Sequence, residues 1–199
     1  MRKLTSRGIA ALCGLAPAVI AWTAATSPMT LQPESRLWIN GTSTVRAFEC
    51  KARAIEAKIE APSANAVAAL VAGEKAVTQA TVTVPAEQLE CGNGTMNEHM
   101  KKALKVKDHP TIEFTVGSYT LVKGTEGTQA QLNGTLTLGG VTKPVTISAV
   151  GKSEGDALRV TGTYEIRMTE YGLKPPTLML GTLRVNERVK VSFDLLLKN

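Results

Sequence analysis

The segment from Asn133 to Ala149, Asn-Gly-Thr-Leu-Thr-Leu-Gly-Gly-Val-Thr-Lys-Pro-Val-Thr-Ile-Ser-Ala, narrows the choice of fold more than any other part of the chain. Leu132, Leu136 and Leu138 fall on one side of an extended backbone and Asn133, Thr135 and Thr137 on the other. Beyond Gly139-Gly140, Val145, Ile147 and Ala149 alternate with Thr146 and Ser148. A period of two on both sides of a glycine pair predicts a β-hairpin whose strands each carry one apolar face. Gly139 and Gly140 can take the positive φ of a tight turn, and Pro144 suits the start of a strand, where no ladder donor is needed. A lone hairpin cannot hide these leucines, so the sheet must continue elsewhere.

The same period recurs along most of the chain. Leu37-Trp38-Ile39 before Asn40-Gly41 predicts a short strand over 35–40 ending in a bend. Val45-Arg46-Ala47-Phe48-Glu49-Cys50 alternates, and 52–60 continues less cleanly through Ile55 and Ile59. Val77, Thr81, Val82, Thr83 and Val84 before Pro85 are β-branched. Ile112, Phe114 and Val116 alternate with threonines and Glu113, and Tyr119 and Leu121 lead to a turn over 123–127. After a turn over 151–156, Leu158, Val160, Gly162, Tyr164, Ile166 and Met168 keep the period, and Val189, Val191, Phe193 and Leu195 make a last strand.

Two stretches break the alternation. The alanine-rich run over 63–72, between Pro62 and Gly73, fits a short helix or a mobile connection. Thr95-x-x-Glu98 has the form of a capping box, with Met96, Met100, Ala103 and Leu104 on one helical side and Lys101, Lys102 and Lys105 toward the C-terminal end. That pattern predicts a helix over 95–105. Many antiparallel strands, one clear helix and no βα alternation predict a mainly β protein, a single antiparallel β-barrel.

The N-terminus reads differently. Arg2, Lys3 and Arg7 precede an apolar run from Gly8 to Ala21, and Thr23-Ala24-Ala25 offers small residues for cleavage. Residues 1–25 therefore read as a signal peptide, 26–34 as a linker and 35–198 as one domain, which predicts export to a periplasm or beyond. Leu12 before Cys13 is too large for a lipid-attachment site. Removing the three basic residues lowers the formal charge from +6 to +3, and with 4% aromatic residues this gives no support to a nucleic-acid partner. Only Cys50 and Cys91 remain after cleavage, and two cysteines in an exported domain most often pair, so a Cys50–Cys91 disulfide is expected.

Candidate chemistry is sparse. Gly151-Lys152-Ser153-Glu154-Gly155 matches a nucleophile elbow in form, but that elbow needs a following helix and a later histidine, whereas a strand follows and His99 and His109 both precede Ser153. The Gly-Lys-Ser triplet lacks the earlier glycine of a phosphate loop, because Thr146 stands there. The spacing of Cys91, His99 and His109 matches no short metal-ligand pattern, and Glu165 with Glu170 has no spacing that marks proton transfer. The three Asn-Gly-Thr sequences, at Asn40, Asn93 and Asn133, are glycosylation sequons only in a host that uses them, and otherwise read as turns or glycine kinks within strands. No catalytic residue, metal or cofactor is expected.

The chain resembles the YceI-like family of exported, lipocalin-like lipid-binding proteins. The resemblance rests on Gly134-x-Leu136-Thr137-Leu138 with Val141-Thr142-Lys143-Pro144-Val145, on Leu37-Trp38-Ile39-Asn40, on His109-Pro110-Thr111-Ile112-Glu113-Phe114, on Glu170-Tyr171-Gly172-Leu173 and on Val189-x-Val191-x-Phe193. It implies a lipocalin-like barrel whose interior holds a long isoprenoid or other amphiphilic chain. Where many members carry an Arg-Asp pair and a Phe-Phe-rich segment, Cys91 to Met100 stands here instead, which bears on the ligand more than on the fold.

A barrel of about eight strands has room for side chains or for one slender ligand. Phe48, Phe114, Tyr164, Met168, Leu178, Met179 and Leu180 are the candidate lining residues, although the same residues would serve a dry core. The leading expectation is a non-enzymatic carrier or store of an isoprenoid or other amphiphilic lipid, with transient membrane contact. Its rival is an interaction module, a filled barrel that meets a protein partner through its surface or the loop over 171–181.

Overall fold

The computed structural model describes residues 27–178 and 182–199. The expected signal peptide lies outside the described residues, as do Met179 and Leu180. The described strands are β1 (Ser27–Leu31), β2 (Arg36–Ser43), β3 (Ala47–Ala52), β4 (Glu56–Ala61), β5 (Gln79–Pro85), β6 (Leu89–Glu90), β7 (Thr111–Gly124), β8 (Gly127–Leu138), β9 (Val141–Glu154), β10 (Ala157–Arg167), β11 (Thr177–Leu178) and β12 (Leu183–Lys198). The helices are α1 (Ala66–Ala72) and α2 (Gly94–Ala103).

Several of these strands are halves of longer ones. Met29 of β1 faces Ile59 of β4 while Ile39 of β2 faces Cys50 of β3, so β1 with β2 and β3 with β4 form one bent hairpin. β5 and β6 then pair with β4 and β3 in turn. With β7, β8, β9, β10 and β12 this makes eight antiparallel staves in chain order. β12 closes the ring by pairing with β10 along one edge and with β2 and β1 along the other. The result is an eight-stranded, antiparallel, closed barrel of lipocalin-like form.

The central hairpin occurs as the alternation requires. Leu136, Leu138, Val145, Ile147 and Ala149 are buried, and Gly139 and Gly140 turn the chain at φ 56° and 82°. β9 begins at Val141, ahead of Pro144, which faces Thr135 within the β8–β9 ladder. The β9–β10 ladder starts only at Ala149, so at Pro144 the strand is paired on the β8 side alone, an edge position of the kind that tolerates proline.

Other expectations are corrected. The expected linker over 26–34 contains β1, held by ladders to β4 and β12, because Met29 and Leu31 complete the apolar wall there. Asn40-Gly41 lies inside β2 and is no bend, since Gly41 continues the ladder opposite Phe48. β9 runs through Ser153 to Glu154, and the turn is confined to Gly155 and Asp156. The Thr95 capping box does not form. Asn93 caps α2, its Oδ1 accepting from Met96 N at 3.2 Å, and exposed Thr95 is already inside the helix.

The helices sit at opposite ends. Ala66 and Val67 of α1 are buried with Met29, Ile59, Leu158 and Leu197 and close one end. Thr128 Oγ1 donates to Val71 O at 2.8 Å to fix that cap. At the other end Leu104, which follows α2, packs with Tyr171 and Leu173, while no residue of α2 itself is fully buried. One end is sealed and the other is partly covered.

Candidate functional site

The barrel encloses a cavity of about 420 Å3 with an almost wholly apolar lining. Sites for small molecules occupy roughly 300–1,000 Å3. The lining is the inward half of the period-two pattern, for example Leu37 and Ile39 of β2 and Leu132 and Leu136 of β8. A barrel of eight strands is ordinarily about as wide as its own side chains can fill. The phenylalanines account for the room left over.

There are three in the chain, and each lies against an inward-facing glycine of the neighbouring strand. A Cβ on Gly41 would stand 2.3 Å from Phe48 Cζ, one on Gly162 2.4 Å from Phe193 Cζ, and one on Gly134 3.0 Å from Phe114 Cε2. Gly41 faces Phe48 and Gly162 faces Phe193 directly across their ladders. The absent side chain leaves a recess that the ring occupies. The bulkiest apolar groups are thereby laid along the wall.

Phe48, Phe114, Tyr164 and Met168 all border the cavity. Leu178 pairs through its backbone with Leu183 in β11, and Met179 and Leu180 fall outside the described residues. The helix expected to begin near Thr95 and to cover part of the barrel also adds Met96, His99 and Met100 of α2 to the lining, residues not among the candidates. Their helical spacing was legible, but nothing local said which surface they would cover. Arg46 was missed as well. It shares the parity of Phe48 and Cys50, and so points along the inward side at the open end.

Cys50 and Cys91 form a disulfide that ties β3 to the start of the α2 segment, and both line the cavity. Met100 Sδ lies 3.6 Å from Cys91 Sγ, and Asn97 Oδ1 accepts from Cys91 N at 2.7 Å, so α2 is held to the wall by side chains as well. At the sealed end the Tyr119 hydroxyl accepts from Ala76 N at 3.0 Å and Val77 N at 2.9 Å and donates to Val77 O at 3.1 Å. It pins the chain that leaves α1.

The lining is nearly devoid of charge. Burial, then the nearby Glu170, pushes the Tyr164 phenol up. Burial, followed by Tyr164 and Glu170, raises neighbouring Tyr171 to about 12. Both phenols stay neutral at physiological pH. Ser153 stands in the β9–β10 ladder opposite Leu158, a position unlike a nucleophile elbow. Among the described residues no three His, Cys, Asp or Glu side chains gather as metal ligands would.

A closed antiparallel barrel around an apolar chamber, sealed by a helix at one end, defines a lipocalin-like protein. The chain belongs to the YceI-like family, whose domain matches residues 34–197. Among solved structures it is similar to BcnA of Burkholderia cenocepacia, at 16% identity and a TM-score of 0.66 over 84% of this chain and 99% of that one. It is also similar to a polyisoprenoid binding domain from Saccharophagus degradans, at 15% identity and a TM-score of 0.59 over 85% and 97%. The YCEI protein of Campylobacter jejuni matches at 16% identity and a TM-score of 0.52 over 73% and 83%. Among curated protein sequences no relative matches the chain.

Proposed function

We propose that the protein is an exported, non-enzymatic carrier or store for an isoprenoid or other amphiphilic lipid held in the barrel. The observation that carries this reading is the apolar cavity of about 420 Å3. A filled barrel acting only as an interaction module has no need of such a space. Each methylene-sized group moved from water into the lining contributes roughly 0.8 kcal/mol before ordering costs, so a slender chain gains affinity along its whole length. The Saccharophagus relative, described as a polyisoprenoid binding domain, supports the same ligand class.

Export is supported by the basic start and apolar run of 1–25 and by the disulfide, which an oxidising compartment would preserve. Loading would involve transient contact with a membrane. The test is organic extraction and mass spectrometry of protein purified from its natural host, with the intact mass read in the same experiment. A stoichiometric lipid and a mature chain starting near Thr26 are expected. Repeated recovery of empty protein would overturn the carrier reading, and an unprocessed N-terminus would overturn export.

A further inference from the structure

Arg46 is the one formally charged side chain lining the cavity among the described residues. No described Asp, Glu or Lys borders it, and the sequence from Leu178 to Gly181 has no ionisable side chain. Many other cations of the barrel are paired on its outside. Arg53 bonds Glu90, Arg159 bonds Glu154 and Asp194, Arg188 bonds Glu165, and Lys198 bonds Asp156. Among the described residues the Arg46 guanidinium has no such acid, and its contact there is Met96 Sδ at 3.8 Å from Nη2. A thioether is a weak acceptor and leaves most of the guanidinium donors for something else.

The position of Arg46 is fixed by its backbone. Ser43 N donates to Arg46 O at 2.9 Å, Ser43 Oγ donates to the same oxygen at 2.9 Å, and Arg46 N donates to Ser43 Oγ at 3.1 Å. Thr44 anchors the turn to β12, with Thr44 N donating to Arg184 O and Arg184 N to Thr44 Oγ1. The residue is exposed and also borders the apolar lumen, which places its charge where cavity meets solvent. Across from it on α2, His99 stands one turn beyond Met96 on the same helical side and also lines the cavity.

We infer that Arg46 receives the anionic headgroup, a carboxylate or phosphate, of an amphiphile whose apolar tail fills the barrel. A planar guanidinium binds both groups through paired, charge-assisted hydrogen bonds, and the absence of acids from the lining leaves it no internal competitor. This rests on the carrier reading and narrows it, because a neutral alcohol or hydrocarbon gains nothing from the cation. His99 offers a second ring N–H at the same rim.

Calorimetric titration of the mature protein with farnesyl phosphate and with farnesol, which share one tail, tests the assignment. The phosphate ester is expected to bind at least tenfold more tightly, as a hydrogen bond to a charged group implies, and Arg46→Gln to remove that preference. Lys102→Gln, which changes an exposed lysine of α2 outside the lining, is expected to preserve it. Arg46 is exposed, so thermal melting of the variant should match the parent. Equal binding of the two ligands by the parent, or a preference that survives in Arg46→Gln, overturns the headgroup assignment and leaves the carrier standing. If neither ligand enters, both readings fall.

Discussion

Gly41→Ala isolates the recess that keeps the lumen open. The backbone at Gly41 lies outside the left-handed region, so alanine is not strained there, and by restricting the unfolded chain it would by itself stabilise by about 0.4–1 kcal/mol. Opposing this, the new carbon would lie 2.3, 2.8 and 2.9 Å from Phe48 Cζ, Cε1 and Cε2, each far inside contact distance. Ordinary carbon contacts fall at about 3.5–4.0 Å, so the ring must swing off the wall and into the cavity. Overpacking of this kind costs about 1–3 kcal/mol. The expected net loss is about 1–2 kcal/mol, which for a domain of this size lowers Tm by roughly 2–8 °C.

The assay is urea or thermal unfolding of Gly41→Ala, Phe48→Leu and the double variant. Leucine lacks the outer ring atoms that meet the new methyl, so Gly41→Ala should cost less in the Phe48→Leu background, with a coupling of about 1 kcal/mol. The displaced ring should also reduce uptake of an apolar ligand. A Gly41→Ala protein as stable as its parent, or costs that simply add in the double variant, would refute the recess.

Three further outcomes are expected. Reducing the disulfide, which spans a sequence separation of 41, should lower stability by about 4 kcal/mol in the chain-entropy model; an unfolding midpoint unchanged by reductant would contradict this. Tyr119→Phe takes the acceptor from the Ala76 and Val77 amides, at a cost of about 1–3 kcal/mol. Hydrogen exchange at both amides should accelerate, and unaltered protection would count against the pin. The hydrogen bond from Arg159 holds the Glu154 carboxyl below its usual range, and that from Lys198 does the same for Asp156. Because the folded pKa values are depressed, their stabilisation is present above the unfolded carboxylate range of about 4 and fades as pH falls through the folded values. Tm should therefore be level near neutrality and decline in acid, with Arg159→Gln showing a shallower acid limb; an identical limb in that variant would exclude the pair as a contributor.

What could be read from the chain was whatever a short stretch decides by itself. The leucines and valines of 132–149 dictate an inward and an outward face, and the structure places them so. The disulfide was legible because only two cysteines remain beyond the leader-like segment. Relations between strands were not. Asn40-Gly41 has turn chemistry, yet the glycine is required by Phe48 on the next strand, a fact that appears only once register is known. In the same way β1 looks like a linker until β4 and β12 supply its ladders. Arg46 is, in sequence, one member of an alternating run, and its place at the rim follows from closure of the barrel rather than from its neighbours in sequence.

β12 has a further consequence. Among the described strands every other ladder joins neighbouring staves in chain order, whereas β12 alone stitches the end of the barrel to its beginning. Until Leu183 to Lys198 has emerged, β10 and β2 each present bare amides and carbonyls that a neighbouring molecule can capture. The keystone is thus the last strand of the barrel to be made: until then the sheet stays unclosed, and removing Leu183 to Lys198 should yield sticky, polymerising sheets in place of a smaller barrel.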